Sequence, residues 1–253
     1  SLHDALPISK EDLGGKSLEW GDAEAMVAMV EAIARGEGFG RILGMGVRKA
    51  AEAIGKGAQN YAIQVKGLAV PAHDPRCYCS MAAGYATSNR GACHLQGGSY
   101  FFERAVTLPE FGYDAVLDRF ENRGKGRLNA LTQNIMSVMD SFKMCKFSLY
   151  GGVNLSHILE YLRTVTGRDM SVEELMETGE RIYNLKRLYN VGCGITRKDD
   201  ILPERFRKEP RHDSGTGEFL PDLEAQLVEY YQVRGWDEDG VPKRETLQRL
   251  GLA

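Results

Sequence analysis

Leu128, Leu131, Ile135 and Val138 or Met139 recur at helical spacing and run without interruption into Asp140-Ser-Phe-Lys-Met-Cys-Lys-Phe147. The repeat predicts a long helix with one apolar face. The octet predicts where that helix stops, so a single cysteine, Cys145, is delivered just beyond a helix C-terminus. A chain built this way folds around that helix and presents whatever its last turn carries.

Other segments repeat the helical pattern. Met26, Met29, Val30 and Ile33 form a stripe with Asp22 as N-cap and Gly36 and Gly38 as the stop. Arg41 to Ile54 predicts a second helix, with Ala50, Ala51 and Ala53 small enough for close packing. Tyr61 to Lys66 predicts a short strand or extended link, and Lys66 to Pro71 a loop. Leu155, Ile158, Leu159 and Leu162 mark a helix ended near Gly167, and Ser171-Val-Glu-Glu174 is a capping box opening a long helix through Tyr189. Arg207 to Glu218 predicts a surface loop, and Leu223 to Val233 and Arg244 to Leu250 two final helices. The expected fold class is mainly α, with little strand.

Composition narrows the function classes. The 253 residues are 43% hydrophobic and 26% charged, enough for a sizeable core. A formal net charge of -3 leaves no electrostatic footprint for nucleic acid. No apolar run approaches the roughly 20 residues that span a bilayer, and no signal peptide is evident, so the expected location is cytoplasmic. Five cysteines without framework spacing point to reduced thiols rather than disulfides. No Gly-rich dinucleotide or phosphate loop and no Gly-x-Ser-x-Gly elbow is present. The pairs Glu173-Glu174 and Asp199-Asp200 are assigned to a helix N-terminus and to charge pairing.

His94 is the catalytic candidate. It lies in a small-residue loop between Gly91 and Gly97, where an imidazole can approach a substrate and move a proton near neutral pH. His73, His157 and His212 are read as structural. Cys77, Cys79, Cys93 and His94 offer a formal zinc set, weakened by the short spacer between the first two.

The octet Asp140 to Phe147 resembles the second pterin-binding signature of the aldehyde ferredoxin oxidoreductase family, roughly Asp-x-x-Gly-Leu-Cys, with Lys143 where the family usually has Gly. Further landmarks follow the family in order: Trp20-Gly21-Asp22, Val65-Lys66-Gly67, His73-Asp-Pro-Arg76, Gly84 to His94 with Gly97-Gly98, and Arg197-Lys-Asp-Asp-Ile-Leu-Pro-Glu-Arg-Phe206. The resemblance covers nearly everything from Glu11 to the C-terminus. It implies a leader or artefact over 1–9, the end of a first helical domain over 10–66, and a second helical domain over 67–253 carrying the signature. The family's N-terminal β domain and Cys-x2-Cys-x3-Cys run are absent from this chain.

The resemblance also implies a function. The complete enzyme oxidises an aldehyde to a carboxylic acid at a tungsten or molybdenum centre held by two pterins, and a [4Fe-4S] cluster passes electrons to ferredoxin or a similar carrier. Asp140 and the backbone near Met144 would contact one pterin, Cys145 would ligate the cluster, and His94 would move the proton. A cluster wants four thiolates, so both cofactors need residues beyond this chain. A homodimer is left open. The alternatives are a same-family reductase of an aromatic acyl-CoA or carboxylic acid, and a metal-free helical interaction module.

Overall fold

The structure, a computed structural model, describes Glu19 and residues 21–253. The segment 1–9 and Trp20 lie outside the described residues. The chain divides into two compact units, 1–70 and 71–253.

The smaller unit opens with α1 (Ala23–Arg35), capped where expected: the Asp22 carboxylate accepts from Ala25 N at 2.9 Å, and Gly36 closes the helix in the left-handed region. Its predicted apolar stripe is not covered among the described residues, with Met26 62% exposed. The expected helix from Arg41 to Ile54 is instead two, α2 (Gly38–Leu43) and α3 (Val47–Ile54). Gly46 between them sits at φ 85, a value no α-helix contains. A turn of 3-10 helix over Ala58–Tyr61 leads to β1 (Gln64–Val65), which pairs antiparallel with β2 (Leu68–Ala69). The predicted loop after Lys66 is thus a hairpin. Lys66 and Gly67 both take positive φ, the turn whose twist matches paired strands.

The larger unit is built on α6 (Lys125–Ser141), the helix that the apolar repeat predicts. Before it come α4 (Ser80–Thr87), buried along its whole length, and the single turn α5 (His94–Gly97). After it come α7 (Leu155–Thr166), α8 (Val172–Gly192), α9 (Glu204–Lys208), α10 (Leu223–Arg234) and α11 (Arg244–Arg249). The predicted capping box opens α8, with Ser171 and Glu174 exchanging hydrogen bonds. His157 completes a second capping box with Asn154 at α7, which is the structural role expected of it.

Packing around α6 is close because glycine permits it. A Cβ on Gly179 of α8 would lie 2.3 Å from Asn134 O, and one on Gly126 of α6 would lie 2.5 Å from Gln226 O of α10. The buried polar side chains of α6 then tie its neighbours down. Asn129 donates to Ser80 O and Lys125 O, both at 2.8 Å. Gln133 donates to Thr87 Oγ1 at 3.0 Å and accepts from the Tyr230 hydroxyl at 2.6 Å.

Farther from α6, Arg187 grips Asp200 through two hydrogen bonds of 3.0 and 2.9 Å, and Tyr231 donates to the same carboxylate. Asp199 caps a 3-10 turn and Asp200 pairs with arginine, so neither acidic residue needs catalysis to explain it. Among the described residues no helix is long and apolar enough to cross a membrane.

Gly179→Ala drives a methyl into the α6 backbone and is expected to destabilise the fold by about 1–3 kcal/mol. Gly192→Ala, where a Cβ meets nothing within 4 Å, is the control and is expected to be neutral or slightly stabilising. Thermal melts of the two variants check this.

Candidate functional site

The end of α6 is a Schellman closure. Met144 N donates to Met139 O at 3.0 Å and Lys143 N to Asp140 O at 3.1 Å, with Lys143 in the left-handed region at φ 59. That position normally takes glycine, which explains the glycine in the signature the octet resembles. Lys143 holds the same backbone path at a conformational cost of about 1 kcal/mol. The turn leaves Cys145 exposed and unbridged. Ser148 follows, with a hydroxyl buried and lacking a hydrogen-bond partner.

Lys146 joins this turn to the loop that bears His94. Its ammonium donates to Leu95 O at 2.7 Å and pairs with Asp140 Oδ1 at 3.0 Å. The Lys146 side chain is only 12% exposed, whereas Asp140 is 45% exposed, so the bond to Leu95 is the better shielded of the two. α5 is seated from below by α6: a Cβ on Gly98, itself at φ 62, would strike Met136 Cε at 2.6 Å, and one on Gly97 would meet Asn129. His94 is thus held on one side by packing against α6 and on the other by the Lys146 tether.

Around His94 the structure assembles a cluster that extends well beyond the one candidate. The His73 ring centroid lies 4.4 Å from that of His94, and Tyr100 lies 5.4 and 5.7 Å from the two. Burial, with smaller contributions from the charges of His73 and Lys146, lowers the His94 pKa to about 4, so its ring is neutral at physiological pH. Burial also raises the Tyr100 hydroxyl to about 12. Beside His73, the Asp74 carboxylate is forked by Arg76 at 3.0 and 2.7 Å; burial opposes its ionisation, but the arginine prevails and the pKa falls below the usual value. Tyr100 stacks edge-on to Phe101, which meets Tyr150 at 4.8 Å, and Phe147 flanks both and is 58% exposed.

The structure therefore brings His94 and the Asp140–Cys145 turn into one connected neighbourhood. Sequence reasoning set His73 aside as structural and did not single out Tyr100. His73-Asp-Pro-Arg76 stood out as a landmark, but nothing local in the sequence signals that its imidazole faces His94. The zinc alternative finds no support, since among the described residues no three His, Cys, Asp or Glu side chains are grouped to hold a metal. Cys79 is buried, donates to Glu121 O, and is pushed far up in pKa by burial and by Glu103.

A family model described as aldehyde ferredoxin oxidoreductase, domains 2 and 3, matches residues 6–252. The chain belongs to the aldehyde ferredoxin oxidoreductase family. It is 33% identical over 255 residues to a tungsten-containing aldehyde ferredoxin oxidoreductase of Pyrococcus furiosus, covering 100% of this chain and 41% of that relative. The corresponding protein of Pyrococcus horikoshii is 34% identical over 257 residues, with 99% and 41% covered. An aliphatic sulfonate oxidoreductase, WOR-like subunit, of Pyrococcus furiosus is 32% identical over 258 residues, with 97% and 37% covered. In fold, the chain is similar to the active-site complex BamBC of benzoyl coenzyme A reductase in complex with 1,5-dienoyl-CoA, with a TM-score of 0.72 at 21% identity, over 99% of this chain and 42% of that one. This aldehyde ferredoxin oxidoreductase family chain spans about two fifths of the length of the curated relatives it matches.

Two outcomes follow from the site. Lys143→Gly removes the left-handed penalty and is expected to stabilise the chain by about 1 kcal/mol in denaturant unfolding. For His94, whose folded pKa is lowered from 6.5 to about 4, the unfolded state binds the proton first as pH falls. The ring's contribution is therefore intact above 6.5 and lost progressively down to about 4. His94→Asn is expected to flatten the acid side of the stability profile, read as melting temperature against pH.

Proposed function

We propose that the full-length protein carrying this chain oxidises an aldehyde to the carboxylic acid at a tungsten or molybdenum bis-pterin centre and passes the electrons through a [4Fe-4S] cluster to ferredoxin or a similar carrier. The observation that carries this reading is the Lys146 bridge, which connects the signature carboxylate of Asp140 to the loop of the neutral imidazole His94. The donor set fits the cofactors in kind. Cys145 is an exposed thiol on a sharp turn, suited to be one of four cluster ligands, the others coming from beyond this chain. Asp140 and the Met144 backbone would lie against a pterin from the same turn.

When bound, the metal centre supplies the two-electron oxidation and the cluster carries electrons away. The chain's own residues do the rest. His94, neutral because it is buried, accepts a proton from the reacting water at a ring nitrogen. Tyr100, kept protonated, and Phe101 are buried, and with the exposed rings of Tyr150 and Phe147 beside them they favour an apolar substrate body. Lys146 holds Leu95, and with it the imidazole, in place.

The test is anaerobic purification of the full-length protein, metal analysis, and aldehyde-dependent reduction of a viologen or ferredoxin. His94→Asn is expected to keep its tungsten or molybdenum and iron and to lose about 100-fold or more in turnover; full activity would remove His94 from the reaction. Cys145→Ser is expected to abolish or shift the cluster's absorption, and an unaltered spectrum would end the ligand assignment. Reduction of an aromatic acyl-CoA with no aldehyde oxidation would turn the reading towards the related reductase. A protein without metals would turn it towards an interaction module.

A further inference from the structure

Resting on the assignment of proton transfer to His94, we propose that His73 is its relay partner, taking the proton from His94 and passing it to solvent. The reaction gives such a partner a role. Conversion of an aldehyde and one water to a carboxylic acid releases two electrons and two protons. The electrons leave through the cluster to the carrier, whereas each proton must leave through side chains or water. A half-buried imidazole that binds protons weakly is a good conduit and a poor store, so the next acceptor in line matters as much as His94 itself.

The groups facing His94 leave one choice. Lys146, from the turn after α6, is committed to Leu95 O and Asp140 and carries a positive charge, so it accepts nothing. Tyr100, from the 3-10 turn Ser99–Phe101, is a protonated phenol that burial keeps protonated. His73, from the loop ahead of α4, is an imidazole whose ring centre lies 4.4 Å away at an interplanar angle of 47°. At that separation the two rings are in contact without a direct hydrogen bond, so the proposed transfer runs through one bridging water.

On the far side of His73, Asp74 is held by Arg76 and by Arg211, which donates to its Oδ2 at 3.4 Å, so that carboxylate does not compete for the proton. The His73 backbone is fixed as well, with its carbonyl accepting from the buried Tyr85 hydroxyl at 2.9 Å and its N–H donating to Pro71 O at 2.6 Å. His73 and His94 are both half-buried, and the relay assigns the exit to solvent to His73. Each of the two protons released per turnover passes in turn to His94, from His94 to His73, and from His73 to bulk water. Each ring ends with the protons it began with.

The experiment compares His73→Gln with His94→Asn in the metal-loaded full-length protein. His73→Gln is expected to keep metal content and KM, to lower kcat about tenfold, and to recover turnover when free imidazole is added. A second readout does not depend on turnover: labelling of His94 by diethylpyrocarbonate against pH, mapped by mass spectrometry. In His73→Gln the His94 midpoint is expected to rise from about 4, because one of the charges that lower it is gone. If His94→Asn is impaired while His73→Gln is unchanged in kcat and pH profile, the relay falls and the site reading stands. If His94→Asn is fully active, both fall. A loss in His73→Gln that imidazole does not rescue, or an unmoved His94 midpoint, assigns His73 a structural role and overturns the relay.

Discussion

Close approach to α6 is the constraint on which the larger unit depends. Gly179 lets α8 lie directly on its backbone and Gly126 lets α10 do the same, at distances that no side chain would permit. Once helices are that near, polar groups inside the contact must be satisfied by each other, because water cannot reach them. The Asn129 amide N–H and Gln133 meet this need by bonding across to α4 and α10, while the Asn129 Oδ1 stays buried without a partner. Steric permission and polar satisfaction are successive consequences of one packing arrangement.

The same helix governs the site from its other end. Its Schellman closure turns the chain sharply enough to expose Cys145 and to bring Lys146 back across to Leu95. Lysine at the left-handed position takes a path that glycine would take without strain. Burial then acts on the chemistry. The same exclusion of water that stabilises the tether lowers the His94 pKa and raises that of Tyr100, leaving a neutral base beside a protonated phenol.

Local pattern made much of the fold legible. The apolar repeat of α6, the Asp22 cap, the capping box at Ser171 and the final helices all appear where periodicity and capping chemistry place them, because each depends on residues within a turn or two of each other. The break at Gly44 to Gly46 was missed because Ile42 and Leu43 before it and the alanines after it carry a continuous helical signal, whereas the positive φ at Gly46 is a backbone property that the apolar pattern does not report. The hairpin at Lys66-Gly67 escaped for a similar reason: strands of two residues are too short for alternation to show.

The sequence by itself determined the mainly helical class, the order of the longer helices, the family resemblance and the position of Cys145 and His94 along the chain. Periodicity, caps and motif order are short-range properties and are written in neighbouring residues. Only the tertiary structure decided that His73 faces His94, that Tyr100 lines both rings, and that Lys146 spans Asp140 and Leu95. Those contacts join residues far apart in the chain, and their existence depends on how closely α4, α5 and α6 pack. The protonation of the site is a tertiary property for the same reason, since a histidine acquires a lowered pKa only when folding removes its water.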